Sequence, residues 1–430
     1  MTFTRRLGLL LLVVAVPAYA AGDADDGALS LADSTPESAR PASGDWRVFT
    51  ELSLGQVTLR QGAAASATAN TRRFSVDLLM DKKLSPALRA VLSNRLDLSR
   101  QADDAGVHSD TINTLKEAYL SWQPQNDRVV GVGRINVRYG VAQGYNPTDF
   151  LREGANRSIV SVDPSSIREN RLGTAMLRGQ TLWAGGSITA LLAPKLADVP
   201  NNGAWSPDLG STNNRTRWML AASHQLSERW NPQVIVFGDA HQSVQLGLNL
   251  ATLINDATVA HFEWSGGRMQ SLAAQALPPN SGTSEDVAFR NRVATGFTFT
   301  SANKVSLTAE YHYNGAAPDQ AGWNALRAGS PADYGRYRLQ VQDRLELTTR
   351  HAGYLRATWQ DAFVNKLDLS AMVRVNADDR SRLAWVEARY RWVRAELALQ
   401  WQRNSGDATS EYGALPQRSN AQAQLRYFFD

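Results

Sequence analysis

Between Trp46 and Phe429 apolar and polar residues take turns in segments of about ten residues, the length of a tilted strand crossing a hydrocarbon layer. Three segments are clearest. Leu367, Leu369, Ala371, Val373 and Val375 alternate with Asp368, Ser370, Met372, Arg374 and Asn376. Val393, Ala395, Leu397, Leu399 and Trp401 alternate with Arg394, Glu396, Ala398, Gln400 and Gln402. Leu307, Ala309, Tyr311 and Tyr313 alternate with Thr308, Glu310 and His312. A period of two residues puts the two sets on opposite faces of a strand.

The pattern predicts eighteen strands: 46–54, 72–81, 89–100, 113–123, 127–138, 174–183, 186–194, 215–226, 232–241, 243–253, 257–265, 287–300, 303–313, 350–361, 366–376, 381–391, 393–403 and 421–429. The gaps between them carry a second rhythm. Gaps after even-numbered strands are short, as at Gly185, Ser301-Ala302 and Ala362 to Asn365. Most gaps after odd-numbered strands are long: 55–71, 139–173, 195–214, 266–286, 314–349 and 404–420. A chain stitched through a membrane, with tight turns on one side and long loops on the other, has this rhythm. The gaps after 241 and 376 are short and break it, which leaves sixteen strands open. The expected fold is all-β, a closed antiparallel transmembrane β-barrel with short periplasmic turns and long extracellular loops. A soluble β-sandwich has the same alternation, so loop rhythm and export must separate the two.

Export is read at the N-terminus. Arg5 and Arg6 precede an apolar run from Leu7 to Val16, and Ala18-Tyr19-Ala20 supplies a cleavage site, so 1–20 is expected to be a signal peptide. Residues 21–45 hold six acids, one base and many small residues, the composition of a disordered acidic leader. The barrel is expected over 46–430 as one domain. The chain has no cysteine, so it must hold itself without disulfides; a sheet closed on itself does so with internal hydrogen bonds. Net charge falls from +4 to +2 when Arg5 and Arg6 leave, which argues for no nucleic-acid partner. Twelve Trp and twelve Tyr suit membrane interfaces.

The gap from Tyr139 to Gly173 is the candidate for function. Asn146-Pro147-Thr148-Asp149 and Asp163-Pro164-Ser165-Ser166 read as turns that start helices. Arg134, Arg138, Arg152, Arg157, Arg168, Arg171 and Arg178 lie in or beside it with Asp149, Glu153, Asp163 and Glu169, and no lysine. Arginine is suited to fixed, bidentate pairing. The expected pore constriction comprises Arg134, Arg138, Asp149, Arg152, Glu153, Arg157, Arg168, Glu169 and Arg171. Arg152, Arg157, Arg168 and Arg171 would face Asp149, Glu153 and Glu169 across it. The alternative is that these arginines pair with nearby acids and pin the loop to the wall.

Two resemblances follow from these residues. Ala421, Ala423, Leu425, Tyr427 and Phe429 share one face of the last strand, which resembles the assembly signal of bacterial outer-membrane barrels; here Asp430 follows the terminal aromatic. The stretch from Lys116-Glu117-Ala118-Tyr119-Leu120 through Gly133-Arg134 and Tyr139-Gly140 to Tyr145-Asn146-Pro147-Thr148-Asp149 looks like porin-type barrels of the alginate-export kind. In general porins the loop after the fifth strand folds into the barrel, and the 139–173 gap has that position. The resemblance implies a Gram-negative outer-membrane channel. Its implied partners are outer-membrane lipid and lipopolysaccharide, the barrel-assembly machinery, and a small polar or anionic solute. General porins form trimers, so it also implies a homotrimer, for which the residues carry no interface signal.

No cofactor, metal or catalytic site is expected. None of the six histidines has metal-ligand spacing, and no Gly-x-Ser-x-Gly is present. Gly131-x-Gly133 lies within an alternating strand, where it allows close packing or a bend. Asp239 and His241 share a strand face and would serve a rim hydrolase, against the simpler reading of a hydrated wall pair. The leading expectation is passive diffusion through a channel. The alternatives are an outlet for an acidic polysaccharide or hydrophobic product, and the rim hydrolase.

Overall fold

The computed structural model describes residues 45–60, 68–103, 106–227, 229–240, 242–277 and 286–429. The expected signal peptide, the expected leader up to residue 44, His241 and Asp430 lie outside these residues. Eighteen strands follow one another: β1 (Trp46–Leu59), β2 (Thr68–Ser85), β3 (Leu88–Asp103), β4 (Gly106–Gln125), β5 (Arg128–Ile135), β6 (Thr174–Trp183), β7 (Gly186–Ala193), β8 (Arg217–His224), β9 (Gln233–Asp239), β10 (Gln242–Asn255), β11 (Thr258–Gln270), β12 (Val287–Thr300), β13 (Val305–Asn314), β14 (His351–Trp359), β15 (Leu367–Asn376), β16 (Arg382–Arg391), β17 (Ala395–Ser405) and β18 (Gln417–Phe429). Each pairs antiparallel with the next, as in β1 with β2 and β8 with β9. β18 returns to β1, with Phe429 opposite Val48 and Ala423 opposite Leu54. The sheet is closed, so no strand edge is left unpaired.

Each of the eighteen predicted segments is a strand, and the sixteen-strand alternative is excluded. The short connections at 240–241 and 377–381 are short loops at the long-loop end. β2, β3 and β4 have 18, 16 and 20 residues, more than about 11 needed to span hydrocarbon, so this hairpin region projects beyond it.

Burial decides between barrel and sandwich. Leu54, Leu220 and Leu399 are 50%, 39% and 55% exposed, while their neighbours Ser53, Ala221 and Ala398 are buried. The apolar face points outward along each such strand and the polar face points in. No second sheet or helix layer covers the outward face among the described residues, and no described helix is long and apolar enough to cross a membrane. Apolar rows facing outward around a closed sheet suit acyl chains. Trp46, Trp122, Trp183, Trp392 and Phe429 are exposed at the short-turn end, where an aromatic belt would meet headgroups.

Inside, polar residues pair across strands. Glu51 is 1% exposed and receives Arg73, Arg95 and Arg426 at 2.8, 3.0 and 2.7 Å. Lys116 meets Asp77 at 2.8 Å. Gly133 has φ +131°, and an added Cβ would lie 2.3 Å from the Ala118 carbonyl, so β5 and β4 approach there as only glycine permits.

Five short helices occupy the long connections: α1 (Pro164–Glu169), α2 (Leu209–Thr212), α3 (Leu272–Ala276), α4 (Gln320–Ala328) and α5 (Pro331–Asp343). Hence 314–349 is not a plain gap. Asp319 caps α4 through the Gly322 amide, and Ser330 caps α5 with Pro331 in its first turn. Trp323 is buried and donates to the Asp379 carboxylate at 2.9 Å; Tyr337 donates to the Thr348 carbonyl at 2.7 Å.

If the outward rows face hydrocarbon, Leu220→Arg should destabilise the bilayer-embedded barrel by about 2–4 kcal/mol in urea unfolding. A change within about 0.5 kcal/mol, as for an ordinary exposed site, would contradict the assignment.

Candidate functional site: the inward loop and the lumen

The connection from β5 to β6, residues 136–173, crosses the interior and is held by carboxylates on the opposite wall. Glu263 of β11 accepts from the Thr148 amide and hydroxyl through Oε1, at 2.7 and 2.8 Å. Its Oε2 accepts from the Val141 and Ala142 amides at 3.0 and 3.3 Å and from Asn146 Nδ2 at 3.3 Å. Glu310 of β13 accepts from the Gln143 and Gly144 amides at 2.7 and 2.8 Å. The His261 and His312 Nε2 atoms approach the same carboxylate at 3.0 and 2.8 Å. Between these strands lies β12, where Ala294 is opposite Glu263 and Gly296 is opposite Glu310. Two small residues leave room for the loop to seat, and Ala294 packs on Ala142 and Tyr145.

A third carboxylate, Glu346, lies in the β13–β14 connection. It receives the Tyr145 hydroxyl at 2.6 Å, Asn314 Nδ2 at 2.9 Å, Arg152 at 2.8 Å and Arg292 at 3.5 Å. Burial would raise its pKa, but Arg152, Arg292 and the Tyr145 hydrogen bond bring it down to about 2. Asp163, ahead of α1, meets Arg356 of β14 at 2.6 Å.

The expected constriction residues take these places. Arg171 pairs with Asp149 at 2.6 Å inside the loop itself. Arg152 pairs with Glu346, as above. Arg157 meets Asp208, beside α2, at 2.9 Å. Glu153 is bound by Arg215 and by Arg344, which hold its carboxyl below the usual range against the effect of burial. Glu169 lies 3.9 Å from Arg47. Arg134 is buried and donates to the Pro207 and Asp208 carbonyls. Arg138 is exposed. Arg168 is buried, with Nη2 3.5 Å from the Tyr139 carbonyl. Of the expected facing pairs the structure forms Arg171 with Asp149. Arg152, Arg157 and Arg171 each close on a nearby carboxylate, because a buried guanidinium without one carries a large desolvation cost. Arg152, Arg171 and Asp149 also line the outer of the cavities beside the loop, so for them pairing and lining coincide.

Two of the cavities beside the loop share Gln143. The outer one, about 320 Å³, lies between the loop and the β13–β14 connection, and its lining includes Arg168, Arg338, Arg374, Tyr412 and Gln143. The inner one, about 140 Å³, opens toward the short-turn end beside Thr298, Ser306, Thr308, Arg356 and again Gln143. Arg338 donates to the Glu411 carbonyl at 3.0 Å, and Arg374 stacks over Tyr354 at 5.8 Å. Glu411, also in the outer cavity, is raised above the usual carboxylate range by burial and by nearby Asp379.

Sequence reasoning missed Glu263, Glu310 and Glu346 as loop holders, and Arg338 and Arg374 as lining. Each strand member occupies an ordinary polar position of an alternating segment, with no local mark. Of the rim pair, Asp239 is bound by Arg215.

No protein-family model and no curated protein matches this chain. Solved structures match along nearly its whole length. OccAB1 of Acinetobacter baumannii has a TM-score of 0.54 at 10% identity, covering 89% of this chain and 96% of that one. A BenF-like porin from Pseudomonas fluorescens Pf-5 gives 0.54 at 10%, with 90% and 98% covered. Pseudomonas aeruginosa OccK7 (OpdD) gives 0.53 at 10%, with 90% and 99% covered. The chain, a closed eighteen-stranded barrel, shares its fold with these three structures.

Glu263→Ala leaves the Val141, Ala142 and Thr148 amides without their acceptor, at about 1–3 kcal/mol for each one buried, while the Thr148 hydroxyl keeps Asn249 and Asn146 Nδ2 keeps the Ala142 carbonyl. Protease cleavage within 140–150 should accelerate severalfold while heat-modifiable gel migration, the sign of an intact barrel, persists; unchanged cleavage would show that Glu263 does not hold the loop. For Glu346 the folded pKa is lowered, so its contribution is complete above the unfolded value and is lost as pH falls through about 2. Pepsin at pH 3 should therefore cut wild type around Tyr145 no faster than expected for a seated loop, but should cut Glu346→Gln severalfold faster.

Proposed function

We propose that this protein is an outer-membrane channel for passive diffusion of small polar or anionic solutes, narrowed by the 136–173 loop. The observation that carries the reading is a polar-lined lumen, crossed by a loop fixed to the opposite wall, with cavities on both sides of it. The porin neighbours supply a fold that serves such channels. Arg152, Arg168, Arg171, Arg338 and Arg374 all line the outer cavity and outnumber its carboxylates Asp149, Glu346 and Glu411, which gives it positive character; Arg152, Arg157 and Arg171 also hold the loop. Arg338, at a backbone carbonyl, and Arg374, over an aromatic ring, keep their charge available to a passing anion. Discrimination comes from width and fixed charge, and no reaction is assigned.

Two other readings are less well supported. A polymer outlet needs an unbroken track through the lumen, which the crossing loop interrupts. A rim hydrolase needs Asp239 available, and Arg215 occupies it. On the channel reading the outward face meets lipid and lipopolysaccharide, and β18 presents the assembly signal to the barrel-assembly machinery. A homotrimer remains the expectation from resemblance to general porins.

In a planar bilayer the purified barrel should carry stepwise current with anion preference. Replacing Arg338 and Arg374 by alanine should reduce that preference, and the preference should fall between 0.1 and 1 M salt as the Debye length shrinks from about 10 to about 3 Å. A barrel that inserts, with heat-modifiable migration, and passes no current would overturn the channel reading.

A further inference from the structure

Gln143 lines both the outer and the inner cavity, and the residues around it show where the two meet. On β13, His312 borders the outer cavity while Ser306 and Thr308 border the inner one; Glu310 lies between them. On β14, Ala352 and Gly353 border the outer cavity while Arg356 and Thr358 border the inner one. The level of Glu310 is thus the floor of one cavity and the ceiling of the other.

That level is built, not incidental. Glu310 holds the Gln143 and Gly144 amides at 2.7 and 2.8 Å. At Gly144 the chain is pressed so closely to the wall that an added Cβ would lie 2.6 Å from His312 Cε1 and 2.7 Å from Tyr354 Cγ. The backbone on both sides of Gln143 is therefore fixed, and its side chain lies where the two cavities meet. The charged groups at this depth are engaged: Glu310 by the two amides and by His261 and His312 at 3.0 and 2.8 Å, and Arg356 of the wall by Asp163 of the loop at 2.6 Å. The crossing thus presents the Gln143 amide beside charges already bound within the protein, whereas Arg152, Arg168, Arg171, Arg338 and Arg374 all line the outer cavity.

Resting on the channel reading, we propose that Gln143 is the size-determining residue of the passage, and that size and charge are selected at separate depths. The outer cavity sets the sign of the preferred solute. The Gln143 crossing sets its width and is indifferent to sign.

The chain has no cysteine, which makes the test direct. Ser306→Cys places one thiol in the inner cavity. A small anionic methanethiosulfonate reagent added on the long-loop side should react with it and lower the current. In the double variant with Gln143→Trp that reaction should slow severalfold, and with Gln143→Ala it should quicken severalfold. Single Gln143→Ala should raise conductance and admit larger solutes while leaving anion-to-cation preference as in wild type. Heat-modifiable migration checks that each variant is folded, and reaction of Ser306→Cys from the short-turn side should be equal in all of them. A conducting wild type whose thiol reaction and size limit ignore both Gln143 substitutions would overturn this inference alone. A change in ion preference with unchanged size limit would also overturn it. An inserted wild type with no current and no thiol reaction from the long-loop side would overturn the channel reading, and this inference with it.

Discussion

A loop that enters a barrel carries backbone amides away from bulk water, and those amides must be satisfied there. In this protein Glu263 and Glu310 meet that need for residues 141–148. Each oxygen of each carboxylate accepts from the loop, and a carboxylate acceptor gives a stronger bond than a neutral one. The rest of the interior follows from this constraint. Ala294 and Gly296 must be small so that the loop can seat between the two acids. Arg152 and Glu346 can pair because Tyr145 is brought to the same place. The two cavities are the space the seated loop leaves on either side.

The outer surface obeys the opposite rule. Leucines and tryptophans that a soluble protein would bury face outward, and glutamates and arginines that it would expose face in. Both arrangements are stable only together. Closure satisfies the strand hydrogen bonds, hydrocarbon accepts the outward rows, and the polar lumen accepts the loop. The inner charges are held in ion-pair clusters, as where Arg73, Arg95 and Arg426 meet Glu51, Asp97 and Glu396.

The strands were legible because side-chain alternation is local: two-residue periodicity names each face without knowledge of partners. Gap lengths then ordered the two ends. The interior was less legible for a matching reason. The Thr148–Glu263 and Gln143–Glu310 contacts join residues 115 and 167 positions apart, and a polar residue on an alternating strand looks alike whether it faces water or a loop. The 139–173 segment was found by its arginines, but three of them proved to be fasteners, since their carboxylate partners were Asp149, Asp208 and Glu346 and only the first lies in the same segment. α4 and α5 escaped notice because short capped helices inside a long gap carry no extended apolar stripe; their marks were the Asp319 and Ser330-Pro331 caps.

The central claim is that wall carboxylates fix the loop across the lumen. Amide hydrogen exchange over residues 141–148 of the folded barrel in detergent or bilayer tests it most directly. The account predicts protection comparable to that of β11 and β13, lost specifically when Glu263 and Glu310 are both replaced by alanine. Exchange at the rate of an open loop in the wild-type barrel, with the strands themselves protected, would contradict it.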